Sequence, residues 1–202
     1  MPDEQPGGRY VLAVDLGTGG PKVGLVGQDG RVVSSASAAV PVIFLPAGGA
    51  EHDPAAWWSS IVACARQVMM AAQVPAEAVV AVGVTSMWSV TLPVDEAGEP
   101  LMNAISWMDE RGAPFNRELV RGFPSLQGYQ LGLLARYLRT VGFPPTQHGA
   151  DALGHMLFVK HALPEVYRRT YKFLEPMDYI NLRLTGQFAA TQNTALAMMM
   201  ID

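Results

Sequence analysis

The sequence predicts an α/β domain built on a mixed β-sheet flanked by helices. Three observations carry this. Apolar runs of strand length open the chain in quick succession, at Tyr10–Val14, Lys22–Val26 and Arg31–Val40. A helical repeat of apolar residues follows, and after it come two more strand-like runs. From Asp109 onward helical spacing dominates. Two hairpins before the first helix do not suit a simple doubly wound nucleotide fold, which alternates strand and helix from the outset.

Each element has its own local cause. The first strand runs into Asp15-Leu-Gly-Thr-Gly-Gly20, a turn, and the second into Gln28-Asp29-Gly30. Aspartate followed by glycine favours a hairpin because both tolerate positive φ. The first three strands are therefore expected to form an antiparallel meander. Pro41 to Asp53 holds two prolines and the pair Gly48-Gly49, and predicts a loop. Asp53-Pro54 predicts a helix start, with a side-chain acceptor at the N-cap and proline where its missing N–H costs nothing. Trp57, Ile61, Cys64, Ala65 and Val68 then recur at helical spacing to about Ala72. Ala78–Thr85 predicts a buried strand and Val90–Val94 another, a pair closed by the turn Asp95-Glu-Ala-Gly98. Helices are predicted over Ala113–Val120, Leu126–Val141, Leu153–Leu163 and Asp178–Leu184.

Composition narrows the function classes. The 202 residues are 50% hydrophobic and 16% charged, enough for one large or two small folded domains. A net charge of −4 with scattered basic residues argues against a nucleic-acid partner, which needs clustered Lys and Arg. The single cysteine, Cys64, excludes an intramolecular disulfide and reads as a core residue. Residues 1–9 are polar, rich in Pro and Gly, and unlike a secretory signal, so a disordered tail is expected there. The longest apolar runs, such as Ala195–Ile201, are too short to span a bilayer. A cytoplasmic protein without a membrane partner is the expectation.

The chemistry-bearing segment is Asp15-Leu-Gly-Thr-Gly-Gly-Pro-Lys22. Glycines at 17, 19 and 20 would let a backbone turn its N–H groups toward an anion. Thr18 adds a hydroxyl, Lys22 a point charge, and Asp15 a hard oxygen for a Mg²⁺-bound water. A plain glycine-rich hairpin with an incidental aspartate would look the same. The segment matches neither a Walker A loop nor the dinucleotide GxGxxG pattern.

This loop resembles the opening of the FGGY carbohydrate kinases (xylulokinase, gluconokinase, glycerol kinase), which read Asp-x-Gly-Thr-(Ser/Gly)-x-x-(Lys/Arg) between two strands. Further segments are similar in the same order. Glu51-His-Asp-Pro-Ala-Ala-Trp-Trp58 resembles the family's Glu-x-Asp-Pro-x-x-Trp-Trp helix start, and Gly83 through Asp95 its substrate strand pair. Asn103-Ala-Ile-Ser-Trp-Met-Asp-Glu-Arg111 resembles its Pro/Asn-Ala-Ile-x-Trp-x-Asp-x-Arg run. Pro164-Glu-Val-Tyr167 and Leu174-Glu-Pro-Met-Asp-Tyr179 through Gly186 resemble its late helices. The resemblance spans residues 10–202 and implies an actin-like ATPase (ribonuclease H-like) fold.

It also implies ATP and Mg²⁺ as cofactors, and a sugar or polyol as acceptor of the γ-phosphate. Asp15 would organise the metal and its waters, and Gly17, Thr18, Gly19, Gly20 and Lys22 would face the phosphate, with Pro21 altering the aim of Lys22. Trp107 would line the sugar site together with Trp88 and Ser89, in one cavity with the loop. Asp109 and Arg111 would either hydrogen-bond sugar hydroxyls or pair with each other and cap the next helix. Trp57 and Trp58 read as packing. The resemblance places the general base and most of the nucleotide site after Asp202, so residues 10–202 would be an incomplete N-terminal half with little activity of its own. A homodimer is the expected assembly. The sequence departs from the family at Met87-Trp88-Ser89, where xylulokinases have Gln-Met-His and glycerol kinases Gln-Arg-Glu, at His155 in place of a lysine, and at Thr191-Gln-Asn-Thr194. His52, His148, His155 and His161 read as surface or packing residues. The departures leave open a non-catalytic sugar-binding or regulatory module with the kinase fold.

Overall fold

The computed structural model describes residues 8–199. In chain order the strands are β1 (Tyr10–Gly17), β2 (Gly20–Gly27), β3 (Val32–Ser37), β4 (Ile43–Leu45) and β5 (Gly49–His52). Helix α1 (Pro54–Ala72) is followed by β6 (Val79–Ser86), β7 (Leu92–Val94), β8 (Ala104–Ile105), α2 (Ala113–Val120), β9 (Ser125–Leu126) and β10 (Tyr129–Gln130). The remainder is α3 (Leu131–Thr140), α4 (Ala152–Ala162), α5 (Pro164–Arg169), β11 (Lys172–Leu174), α6 (Pro176–Thr185) and α7 (Gln192–Ala197). The described chain divides into two compact units, one formed by the chain up to Val42 with Asp53–Met87, the other by Ile43–His52 and the chain from Trp88 onward.

The first unit is a four-stranded sheet in the order β3-β2-β1-β6. The β1–β2–β3 meander is antiparallel as predicted, and β6 joins β1 in parallel, which makes the sheet mixed. Alternation sorts its two faces. Val14, Leu16, Val23 and Leu25 point to one face and are buried, while α1 packs on β2 and β3. Asp53 caps α1 as its sequence indicates, accepting a hydrogen bond from the Ala55 N–H at 2.8 Å. Cys64 and Trp57 lie on the buried stripe of α1, the packing roles expected for them.

The second unit holds a three-stranded sheet, β4-β5-β8, and a β7–β11 pair, with helices packed around Ile105, Leu92, Val94, Val159 and Ile180. Three predictions give way. Residues 41–53 are not one loop, because β4 and β5 form a short antiparallel hairpin that β8, far along the chain, completes by pairing Ile105 with Glu51 and Ala104 with His52. The helix predicted from Leu126 starts at Leu131, since Gln127 and Gly128 both take positive φ and turn β9 into β10. The predicted strand pair also separates, β6 pairing with β1 and β7 with β11, and β6 is not the buried strand expected, since Val80 and Val82 are exposed. α5 forms where Pro164-Glu-Val-Tyr167 resembles a late helix of the family, whereas β8, β11 and α7 have no counterpart among the expected elements. Of the predicted tail, residues 1–7 lie outside the described residues, as do residues 200–202 of the last apolar run.

Candidate active site

The Asp15 segment folds as a tight hairpin. Asp15 lies opposite Lys22 and Gly17 opposite Gly20, so Thr18 and Gly19 form the tip. On the sheet face away from Leu16, the cross-strand row at this end is Ser37, Lys22, Asp15 and Thr85. The Lys22 Nζ is 3.9 Å from Asp15 Oδ2, and both side chains are open to solvent. The three glycines differ in what they do. Gly20 has φ of 126°, and a Cβ there would come within 2.1 Å of the Ala38 carbonyl oxygen, so its lack of a side chain serves the fold. A Cβ at Gly19 would meet nothing within 4 Å, and one at Gly17 only the Gly20 carbonyl oxygen at 3.7 Å. The fold does not demand glycine at 17 or 19. Close approach of an outside group does supply a reason.

A single carboxylate at such a bend suits Mg²⁺, which keeps several waters and takes its other oxygens from phosphates. No cluster of three or more His, Cys, Asp or Glu able to hold a metal exists among the described residues.

In the second unit, Trp107 lies in the loop between β8 and α2 and is 45% exposed, while Trp88 is 61% exposed. These are large apolar faces that the core leaves open. Asp109 and Arg111, two and four residues on, are engaged elsewhere. Asp109 is fully buried and accepts from the Ala50 N–H (2.8 Å), the Arg111 N–H (2.9 Å) and the Arg111 Nε (2.8 Å). The Arg111 Nη2 bonds Glu51 Oε1 at 2.7 Å and Asp109 Oδ2 at 2.7 Å, and its guanidinium stacks 4.4 Å from the Phe158 ring centre. Burial would lower the Arg111 pKa, but hydrogen bonds and charge from Asp109 and Glu51 prevail and raise it. Of the two roles the sequence allows this pair, the mutual ion pair is seen, but neither residue caps the next helix: the N-cap of α2 is Gly112, with no side-chain cap bond. Gly49 is part of the same packing, since a Cβ there would approach Arg111 Nε to 3.0 Å.

Behind this cluster sits His155, fully buried on α4 with Nδ1 3.1 Å from the Thr91 hydroxyl. Burial holds its pKa down to about 4 against the nearby Asp109 and Asp151, so the ring is neutral. His155 is thus a packing residue, as expected. Asp151 caps α4 through the Gly154 N–H at 2.8 Å and also receives Asn116 and Thr146.

Ser89 adopts φ of 59°, and its N–H donates to Glu175 Oε1 at 3.1 Å, while the Val90 N–H donates to Glu175 Oε2 at 3.3 Å. Glu175, the residue before α6, is 1% exposed. Sequence reasoning assigned it no role. Its partners are 85 and 86 residues away, and Glu before Pro reads only as a helix start.

The model of the FGGY family of carbohydrate kinases, N-terminal domain, matches residues 10–202. The xylulose kinase of Bacillus subtilis is 29% identical over 178 residues, covering 88% of this chain and 33% of its own length. A glycerol kinase of Chromobacterium violaceum is 36% identical over 128 residues, covering 62% of this chain and 26% of its own. The chain therefore spans about a third or less of these relatives. Solved structures share the fold. A gluconate kinase from Lactobacillus acidophilus superposes with a TM-score of 0.80 at 22% identity, over 95% of this chain and 36% of its own. A xylulose kinase from Rhodospirillum rubrum does so with 0.77 at 24%, over 96% and 38%. The α/β architecture with its mixed sheet is thus the actin-like ATPase fold these sugar kinases have. By the match over residues 10–202, the chain belongs to the FGGY family of carbohydrate kinases, and that stretch is the family's N-terminal domain.

Proposed function

We propose that this domain is the acceptor-binding part of an ATP- and Mg²⁺-dependent kinase that transfers the γ-phosphate of ATP to a hydroxyl of a sugar or polyol. The observation that carries the reading is the Asp15 hairpin: an open carboxylate, a hydroxyl and a lysine around a tip whose glycines 17 and 19 the fold does not require. In the transfer, the acceptor oxygen bonds to the γ-phosphorus while the bond to the ADP oxygen breaks. The hydroxyl proton would go to a carboxylate base. Catalysis of this kind is chiefly positioning and charge neutralisation. Asp15 would hold Mg²⁺ through its waters, and the ion would supply neutralising charge to the phosphates. The N–H groups of Gly17 to Gly20, the Thr18 hydroxyl and Lys22 would orient the transferred group.

Trp107 and Trp88 would offer aromatic faces to the C–H surface of the acceptor, with Ser89 beside them. Asp109 and Arg111 would act through the Trp107 loop, which they hold, rather than on hydroxyls. A cytoplasmic location goes with the use of ATP, and no helix among the described residues is long and apolar enough to cross a membrane. One observation favours a non-catalytic binding module: at the turn where relatives place charged or imidazole groups, this chain has an indole and a small hydroxyl. The test is a coupled ADP-release assay on the whole protein that carries this domain, over xylulose, gluconate, glycerol and related acceptors. Acceptor-dependent ADP release is expected. Acceptor binding without turnover for every compound would establish the binding module instead.

A further inference from the structure

We propose that Glu175 is a positioning residue that clamps the Trp88–Ser89 turn and thereby shapes the acceptor wall; the functional half of this rests on the kinase reading. A serine at φ of 59° is held against its own preference, because L-residues other than Asn, Asp and Gly disfavour the left-handed region. Something must keep it there. Two successive amides, Ser89 and Val90, converge on the two oxygens of one side chain. That side chain is fully enclosed, and the residue it holds adjoins Trp88, whose indole is 61% exposed. Backbone held from inside and an aromatic ring presented outside is the arrangement a preformed binding wall needs. The second bond from Ser89, its hydroxyl to the Ala150 carbonyl, is long at 3.5 Å and adds little.

The titratable group facing Glu175 is Asp178, one turn along α6. Burial foremost, with the Asp178 charge, lifts the Glu175 pKa to about 8, against the pull of the Val90 and Ser89 amides. The clamp is therefore a neutral acid at pH 7 and strengthens as it ionises.

Amide NMR tests the clamp directly in this chain. In the wild type the Ser89 and Val90 amide protons should shift together with a midpoint near pH 8 and exchange slowly. In Glu175→Ala both should exchange about 10–100-fold faster, as loss of a buried acceptor costs ~1–3 kcal/mol. Glu175→Gln keeps one carbonyl oxygen, so one amide should stay protected and neither should titrate. Unchanged exchange at both amides in Glu175→Ala would overturn the clamp. In the whole protein, Glu175→Ala should raise the acceptor KM about tenfold while kcat stays within about threefold, with Glu175→Gln recovering part of the loss. A free turn with unchanged KM would overturn the positioning role. Should the wild type phosphorylate none of the acceptors, the kinase reading fails, and the amide exchange still decides whether the clamp exists.

Discussion

Asp109→Ala is the most informative perturbation of the second unit, because it separates a supporting role from a substrate-binding one. The side chain is wholly buried and receives the Ala50 N–H of β5, the Arg111 N–H and the Arg111 guanidinium. Its removal strands two backbone donors and strips one of two carboxylates from a guanidinium that is only 15% exposed. A buried donor left without an acceptor costs ~1–3 kcal/mol, and breaking a buried ion pair from one side costs about 3–5 kcal/mol in all. Glu51, 2.7 Å from Nη2, keeps the charge partly compensated and argues for the lower part of that range. Set against a typical total of about 5–15 kcal/mol, the loss is large. In urea the midpoint should fall by about 1–3 M at unchanged slope. Asp109→Asn, with one oxygen retained, should lose less, about 1–2 kcal/mol. The assay is equilibrium unfolding followed by tryptophan fluorescence. If Asp109→Ala unfolds within 0.5 kcal/mol of wild type, a scale on which surface changes fall, the cluster is not structural, and a direct contact to substrate becomes the better account.

Other consequences can be checked in parallel. Gly20→Ala should destabilise the first unit by at least ~2 kcal/mol, since its Cβ would collide with the Ala38 carbonyl at a φ that L-residues avoid. Gly19→Ala, with open space around it, should leave stability within about 1 kcal/mol, and equal losses at the two sites would refute the distinction drawn between them. Stability should depend on pH through Glu175. Its folded pKa, about 8, lies above its ordinary 4.5, so its stabilising contribution is complete below pH 4.5 and is lost as pH rises to 8. Asp178, raised to about 6, acts in the same sense lower down, and His155, lowered to about 4, acts in the opposite sense below 6.5. Between pH 6.5 and 8 Glu175 therefore dominates, and stability should decline by about 1.4 kcal/mol per pH unit. Glu175→Gln should flatten that decline. An unaltered slope in the variant would assign it to another group.

How much of this was legible in the sequence depends on how local each cause is. The Asp15 hairpin, the Asp29-Gly30 turn and the Asp53-Pro54 cap announce themselves because the residues that make them are neighbours. The parallel docking of β6 on β1 was not legible, since nothing within Val79–Ser86 specifies its partner. β4 and β5 were hidden for the same reason. Strands of three and four residues are stabilised by β8 and by the Asp109–Ala50 bond, both far along the chain. The helical spacing after Leu126 was misleading because apolar periodicity outran the Gln127-Gly128 turn that interrupts it. At the candidate site, residue types pointed to Asp15 and Trp107. The burial that turns Asp109 and Arg111 inward, and the reach of Glu175 to Ser89, exist only once the chain has folded.

The central claim is that the Asp15 hairpin serves phosphoryl transfer, and one comparison tests it most directly: ADP release by the whole protein with Asp15→Ala against wild type, with circular dichroism confirming that both are folded. An open, half-exposed carboxylate contributes little to the fold, so the variant should unfold at the wild-type midpoint. Its turnover should fall by roughly 10²–10³ or more, the scale of losing one preorganised electrostatic group at a reacting centre. A folded Asp15→Ala protein that phosphorylates its acceptor at the wild-type rate would contradict the account.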